Sequence, residues 1–361
     1  MTKLNVPPEI TTAMVDSSST WFHKEAQTGV PFGTYDARSD TWSDQVGFQI
    51  SVGGTYEPPG PTTWEPIPYG SPGAYDYYQR QIFRNMTFEN VRVPTGTNAL
   101  FENCTFVGVA FIETEADCDH VNWNYAGALE PVIDPVTGLV TYEPRFPGLE
   151  AELGGVPVPD TKLLSNNIRF HNCTFLGSVS GDRPNEYTHW RNRVNFTGTT
   201  RFYLDPDDPD LREQADARDL LVFLNGMDPA DRKQLVRSSI FLPGWSVGLT
   251  NQHAVDPEDT PKAKLSGAIV AGIFEARGTL EISGTLLVTF RPVAEAGPLF
   301  YGGRTADFKT AIGYFEPVQG DSGQGPGHHD FPAFGEIVLR HDPDASLPDG
   351  IPWRLCVQPV R

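Results

Sequence analysis

Phe101-Glu102-Asn103-Cys104-Thr105-Phe106-Val107-Gly108 decides the fold, because the pattern recurs. Phe83-Arg84-Asn85-Met86-Thr87-Phe88 precedes it, and Phe170-His171-Asn172-Cys173-Thr174-Phe175-Leu176-Gly177 follows it. Self-similarity of this kind marks a stacked architecture. A flat strand alternates its faces with period two, so both phenylalanines of one copy are buried together only if the chain turns a corner between them. Asparagine is the non-glycine residue that best tolerates the left-handed backbone of such a corner. With corners at Asn85, Asn103 and Asn172, the inward side chains are Phe83, Met86 and Phe88, then Phe101, Cys104 and Phe106, then Ile168, Phe170, Cys173 and Phe175. Arg84, Glu102 and His171 then face solvent. Short strands joined by one-residue corners predict a mainly β chain, a parallel β-helix whose rungs lie about 4.8 Å apart.

The first two copies are 18 residues apart, the length of a short rung. The third lies 69 residues further on, so a large insertion or degenerate rungs intervene. Val236-Arg237-Ser238-Ser239-Ile240-Phe241 reads as a fourth, degraded copy with Ser at its corner. Gly267, Gly272, Gly278 and Gly284 fall five to six residues apart between β-rich runs, the pattern of narrow rungs with Gly corners or of an antiparallel meander. Residues 1–78 lack the repeat and are expected as an N-terminal cap or extended arm, with one strand at 46–52. The body is expected over 79–361, with a hairpin insertion at 121–164 and a helical insertion at 205–238. In the hairpin, Asp134-Pro135 opens a type I turn and Gly138 supplies a left-handed bulge residue. In the helical insertion, which carries the only convincing helix signals, an acidic run at 205–210 is the start. Leu211, Leu220, Leu221 and Leu224 form an apolar stripe, Asn225-Gly226 ends one helix, and Asp228-Pro229 starts another. Closing strands are expected at 337–339 and 353–357.

Among 361 residues, 35 Gly and 32 Pro favour many short strands over long helices. The formal net charge of −19 argues against nucleic acid and anionic membranes as partners. No apolar run approaches the length of a membrane span, and the N-terminus lacks the charged-then-apolar order of a signal peptide. The cell envelope or the extracellular space is the expected location, with any leader or anchor removed. Cys104, Cys118, Cys173 and Cys356 show no CxxC spacing, which argues against a structural zinc site. Cys104 and Cys173 hold equivalent inward positions, as two small buried hydrophobes or as a disulfide between neighbouring rungs.

The sharpest chemical cluster is Glu113, Glu115, Asp117, Asp119 and His120. The four acids share one parity, so a strand would present them on one face. Such a row could hold Ca²⁺, or supply an acid and a base through Asp117, Asp119 and His120. A solvated outer face at the start of an insertion is the simpler reading. His328, His329 and Asp330 form a second metal candidate, weakened because adjacent histidines point to opposite sides of a strand. Trp64, Tyr69, Tyr75, Tyr77 and Tyr78 cluster ahead of the first rung, as a cap for its open end or as a sugar-stacking platform.

The three repeats and the Gly-spaced run resemble the pectin-lyase-like, right-handed parallel β-helix superfamily, over roughly residues 80–293. The resemblance implies architecture. That superfamily contains polysaccharide lyases and hydrolases, phage tailspikes, adhesins and non-catalytic surface proteins. Its enzymatic motifs are not matched. Gly327-His328-His329-Asp330 departs from a Gly-His-Gly motif, and nothing resembles Arg-Ile-Lys. Asp117-Cys118-Asp119-His120 keeps only the Asp-His end of a Trp-X-Asp-His motif. The Gly-spaced run is also similar to the C-terminal β-rich region of bacterial envelope proteins associated with type IV pili. The expected function is therefore that of a non-catalytic cell-surface or envelope protein with structural or adhesive work, partnered by carbohydrate or other envelope proteins. The alternatives are a carbohydrate-active lyase or hydrolase acting on an acidic polysaccharide, and a trimeric tailspike-like adhesin. No cofactor is expected beyond Ca²⁺ at the acidic stretch, and one scaffold hosts many functions.

Overall fold

The computed structural model describes residues 20–26, 34–36, 41–43, 55–57, 64–68, 75–115, 129–144, 164–184, 192–204, 211, 217–251, 263–278, 280–289, 311–312 and 337–340. These residues are mainly β. A 14-stranded sheet, parallel in all but one of its pairings, dominates them, an architecture compatible with a β-helix. The strands fall into two walls. Wall one stacks Gln81–Arg84, Ala99–Glu102, Asn167–His171 and Arg193–Thr197, then the second halves of Ile240–Asn251 and Ala263–Gly278. Wall two stacks Thr87–Val93, Thr105–Ile112 and Thr174–Gly181, then Arg201–Phe202 with Ile240–Phe241, then the first half of Ala263–Gly278 and Leu280–Val288. At the first edge Thr55–Glu57 pairs antiparallel with Gln81–Arg84, which ends the parallel run.

The repeat explains how the walls join. Asn85, Asn103 and Asn172 have φ of 55°, 53° and 53°, and each separates a wall-one strand from a wall-two strand. Each corner N–H donates to the next level: Asn85 to the Glu102 carbonyl, Asn103 to that of His171 and Asn172 to that of Thr197. Phe83, Phe101, Phe170 and Phe196 stack at centroid separations of 5.0, 5.2 and 5.4 Å. Phe88, Phe106, Phe175 and Phe202 form a second ladder at 5.1, 5.0 and 4.9 Å. The two ladders meet edge to face, as at Phe101–Phe106 (5.3 Å, 77°) and Phe170–Phe175 (5.0 Å, 85°). Each aromatic pair is worth about 0.5–1.5 kcal/mol beyond the area it buries. Cys104 and Cys173 fill the corners beside the ladders as free thiols, donating to the Phe83 and Phe101 carbonyls at 3.3 Å each. Burial pushes the Cys173 thiol well up.

Phe196 and Phe202 occupy the fourth level, with one more residue between them than in the other copies. The corner there is Thr197-Gly198-Thr199-Thr200, with Gly198 at φ 67°. Residues 236–241 are not a fourth corner, because neither Ser238 nor Ser239 takes a left-handed backbone. They lead instead into Ile240 and Phe241, which pair with Val179 and Ser180 after the helical excursion. The Gly-spaced run is likewise not a set of narrow rungs. It forms two long strands, Ala263–Gly278 and Leu280–Val288, paired in parallel with Gly267 opposite Gly284. The glycines match between levels, not along the chain. Gly108 stacks on Gly177 in the same way, and a Cβ on Gly177 would collide with the Gly108 carbonyl.

The inserted segments follow local chemistry. Leu129–Ile133 and Val140–Pro144 form an antiparallel hairpin with Gly138 at φ 69°. Ala217–Gly226 and Pro229–Leu235 are helices, and Asp228 caps the second through the Ala230 N–H. Leu211, Leu220 and Leu224 are buried, but Leu221 points away and is exposed. A further helix at 20–26 had no signal strong enough to predict it. Phe22 of this helix stacks on Phe241 at 5.3 Å, and Trp21 Nε1 donates to Asp231 at 3.0 Å. These helices cover the outside of wall two, where Val107, Val109, Phe111, Leu176 and Phe241 form a second apolar layer. Among the described residues, no helix is long and apolar enough to cross a membrane. The expected strands at 46–52 and 353–357 and the acidic run at 205–210 lie outside the described residues; a strand is present at Ile337–Arg340.

Candidate functional site

Val93, Ile112 and Gly181 are in register at the ends of three successive wall-two strands. The next residues turn the corner together. Glu113 N–H donates to the Val93 carbonyl at 2.8 Å, and Asp182 N–H donates to that of Ile112 at 3.0 Å. Glu113 and Asp182 therefore occupy equivalent places on adjacent levels. Arg92 Nε reaches Glu113 Oε1 at 2.9 Å, and His23 Nε2 lies 3.8 Å from the same oxygen. His23 comes from the 20–26 helix and sits edge-on to Phe111, with ring centroids 4.8 Å apart. Asp182 Oδ2 accepts from Thr114 N–H at 3.2 Å, and its carbonyl accepts from Trp245 Nε1 at 2.7 Å.

Behind the carboxylates lies a buried amide network. Asn166 Nδ2 donates to the carbonyls of Pro94 (2.9 Å) and Glu113 (2.8 Å), and its Oδ1 accepts from Thr97 N–H at 2.7 Å. Asn192 Oδ1 accepts from Thr114 Oγ1 at 2.6 Å and from Asn166 N–H at 3.2 Å. Asn98 Oδ1 accepts from Asn167 N–H at 2.9 Å. Buried backbone groups must find partners, and these amides supply them where the chain departs and returns. The network fixes the corner, and the corner fixes the carboxylates.

Burial raises the Asp182 carboxyl; the Thr114 N–H and His23 oppose the rise, Glu113 adds to it and Arg92 opposes it. A raised carboxyl beside a second carboxylate, an imidazole and a guanidinium is a grouping capable of proton transfer or anion recognition. Each member is also held by a structural bond, so the grouping equally serves to fasten the 20–26 helix to the body.

Of the residues singled out in sequence, Glu113 belongs to this cluster and Glu115 lies just beyond it. The strand ends at Ile112, so Glu113 and Glu115 are past its end and not on a strand face. Thr114 between them is buried, and Glu113 and Glu115 are partly exposed. Asp117, Asp119, His120, His328, His329 and Asp330 lie outside the described residues, as does Tyr69, and of Trp64, Tyr75, Tyr77 and Tyr78 only the backbone is described. No group of three or more His, Cys, Asp or Glu able to hold a metal occurs among the described residues. Asp182, Arg92 and His23 escaped sequence reasoning. The signal for Asp182 was present: Glu113 and Asp182 each stand seven residues after the closing Phe of a copy. No family model matches this chain, and neither a curated protein nor a solved structure matches it.

Proposed function

We propose that the chain is a right-handed parallel β-helix with a non-catalytic, structural or adhesive role at a bacterial cell surface or envelope, binding other envelope components through its inserted segments. The right hand is the one that parallel crossover connections overwhelmingly take. One observation carries the functional reading. The Phe ladders, Asn corners and stacked glycines use the repeat residues for scaffold, which leaves recognition to what projects from the corners. Depolymerisation of acidic polysaccharides, followed as new reducing ends, is the test. No activity above a blank is expected, and turnover abolished by Glu113→Gln or Asp182→Asn would overturn it.

A second reading rests on Glu113 and Asp182. Two carboxylates on adjacent levels, one of them raised by burial, suit an acid–base pair of a polysaccharide lyase or glycoside hydrolase. The Arg92 ion pair to Glu113 would then position that carboxylate. Calcium titration followed by calorimetry tests whether Glu113, Glu115, Asp117 and Asp119 bind the ion.

A further inference from the structure

We infer that the hairpin spanning Leu129–Ile133 and Val140–Pro144 is a docking knob for a protein partner presenting an apolar groove rimmed by Lys or Arg. This deepens the binding role proposed above and rests on it. The hairpin forms its own two-stranded sheet, apart from the walls, and lies alongside the strand Tyr75–Gln79. Its tip is rigid. Asp134 Oδ1 accepts from the N–H groups of Val136 (2.7 Å) and Thr137 (3.0 Å), and Gly138 N–H donates to the Asp134 carbonyl at 2.9 Å. On and beside this turn Val136 is 91% exposed, Ile133 65% and Leu139 63%. Three exposed aliphatic side chains around one turn, with Ile133 and Leu139 on opposite faces of the ribbon, form an apolar tip that a groove could enclose, unlike apolar residues scattered singly.

Charge and edge chemistry select the occupant. The segment carries Glu130, Asp134 and Glu143 and no Lys or Arg between 129 and 144. A second copy would bring the same acids together on a chain already at −19, and anionic lipid is repelled for the same reason. Pro131 and Pro144 remove ladder N–H groups from the two strands, which opposes pairing along the hairpin edges. Contact is therefore made by side chains. An apolar knob flanked by carboxylates complements an apolar groove with a cationic rim.

The test is calorimetric titration of the full chain with a Leu/Lys amphipathic helical peptide and with its Leu/Glu counterpart. Binding of the first alone is expected, weakened about tenfold or more by Ile133→Asp with Val136→Asp. These changes add negative charge, so a purely ionic attraction would strengthen instead. Unchanged or tighter binding by the variant overturns the proposal. Equal binding of both peptides also overturns it, as does a dimer that the variant dissolves, or hairpin-dependent uptake by zwitterionic vesicles. Both positions are exposed and the variant is expected to melt with the parent; if it does not, Val136→Ser replaces it. Polysaccharide cleavage would sink the binding role itself and leave the hairpin result readable on its own.

Discussion

Wall one and wall two are built from the same hexapeptide, yet they are buried differently. In wall one, Arg193–Thr197 alternates strictly between partly exposed and buried residues, as does Ala99–Glu102. In wall two, every residue after the first Thr of Thr105–Ile112 and Thr174–Gly181 is buried. Wall one has the Phe core behind it and partly exposed, mostly polar side chains in front. Wall two has the same core behind it and a layer of helices in front. Strands buried on both faces lose the alternation, and Val107, Val109 and Phe111 sit where wall one carries Arg84, Glu102 and His171. The lesson is that a wall of parallel strands becomes an attachment surface for helices when its outer residues turn apolar.

The largest expected effect breaks this asymmetry. Leu176→Asp would bury an unpaired carboxylate under the helices and should destabilise by about 4 kcal/mol or more. Arg84→Ala removes a partly exposed ion pair with Glu102 on wall one and should change stability by less than about 1 kcal/mol. Similar losses in a urea titration would mean that the two outer faces do not differ. Next comes the shared interior. Phe170→Ala leaves a gap in a ladder flanked by Phe101 and Phe196 and should lose about 3–5 kcal/mol, with Phe175→Ala alike because the inner faces are equivalent. Clearly unequal values would show that the helical layer also stiffens the inside of wall two.

The corners between the walls predict a smaller effect. Asn103→Ala at φ 53° should lose about 1–2 kcal/mol, while Asn103→Gly should be close to neutral. Equal losses would point to the Asn side chain and not the backbone. The smallest effect is a pH dependence confined to the wall-two end. The folded pKa of Asp182 is raised, so the folded state holds that proton more tightly than the unfolded chain does. Its contribution to stability is full below the ordinary aspartate value, about 3.9, and is lost as pH rises through the raised folded value. Asp182→Asn removes that loss, so its stability relative to the parent should grow as pH rises from about 4. A difference that stays flat with pH would refute the assignment.

Much of this was legible because it is local. The inward Phe and Cys positions follow from one left-handed residue in a period-two strand, and the hairpin and the Asp228-Pro229 helix start follow from turn and cap chemistry. The 236–241 segment was misread because its letters approximate the repeat, whereas the corner at Thr197–Thr200 is one residue wider and hides it. The glycine run was misread because its spacing was taken along the chain, while the constraint acts between levels, Gly267 against Gly284. Of the candidate site only the Glu113 side was visible. The 20–26 helix was not, because its sequence carries too weak a periodic signal to stand out.

By itself the sequence determined the period, the corners and which side chains face the core, since these depend on φ, side-chain size and alternation within six residues. Only the tertiary structure decided that helices cover wall two while the outward side chains of wall one stay partly exposed. It also brought His23, Arg92, Glu113 and Asp182 to a single corner. Those residues are separated by up to 159 positions along the chain, and no local rule acts over that distance. Parallel register brings them together, because each rung places its neighbours by backbone hydrogen bonds regardless of how much chain has been inserted between them.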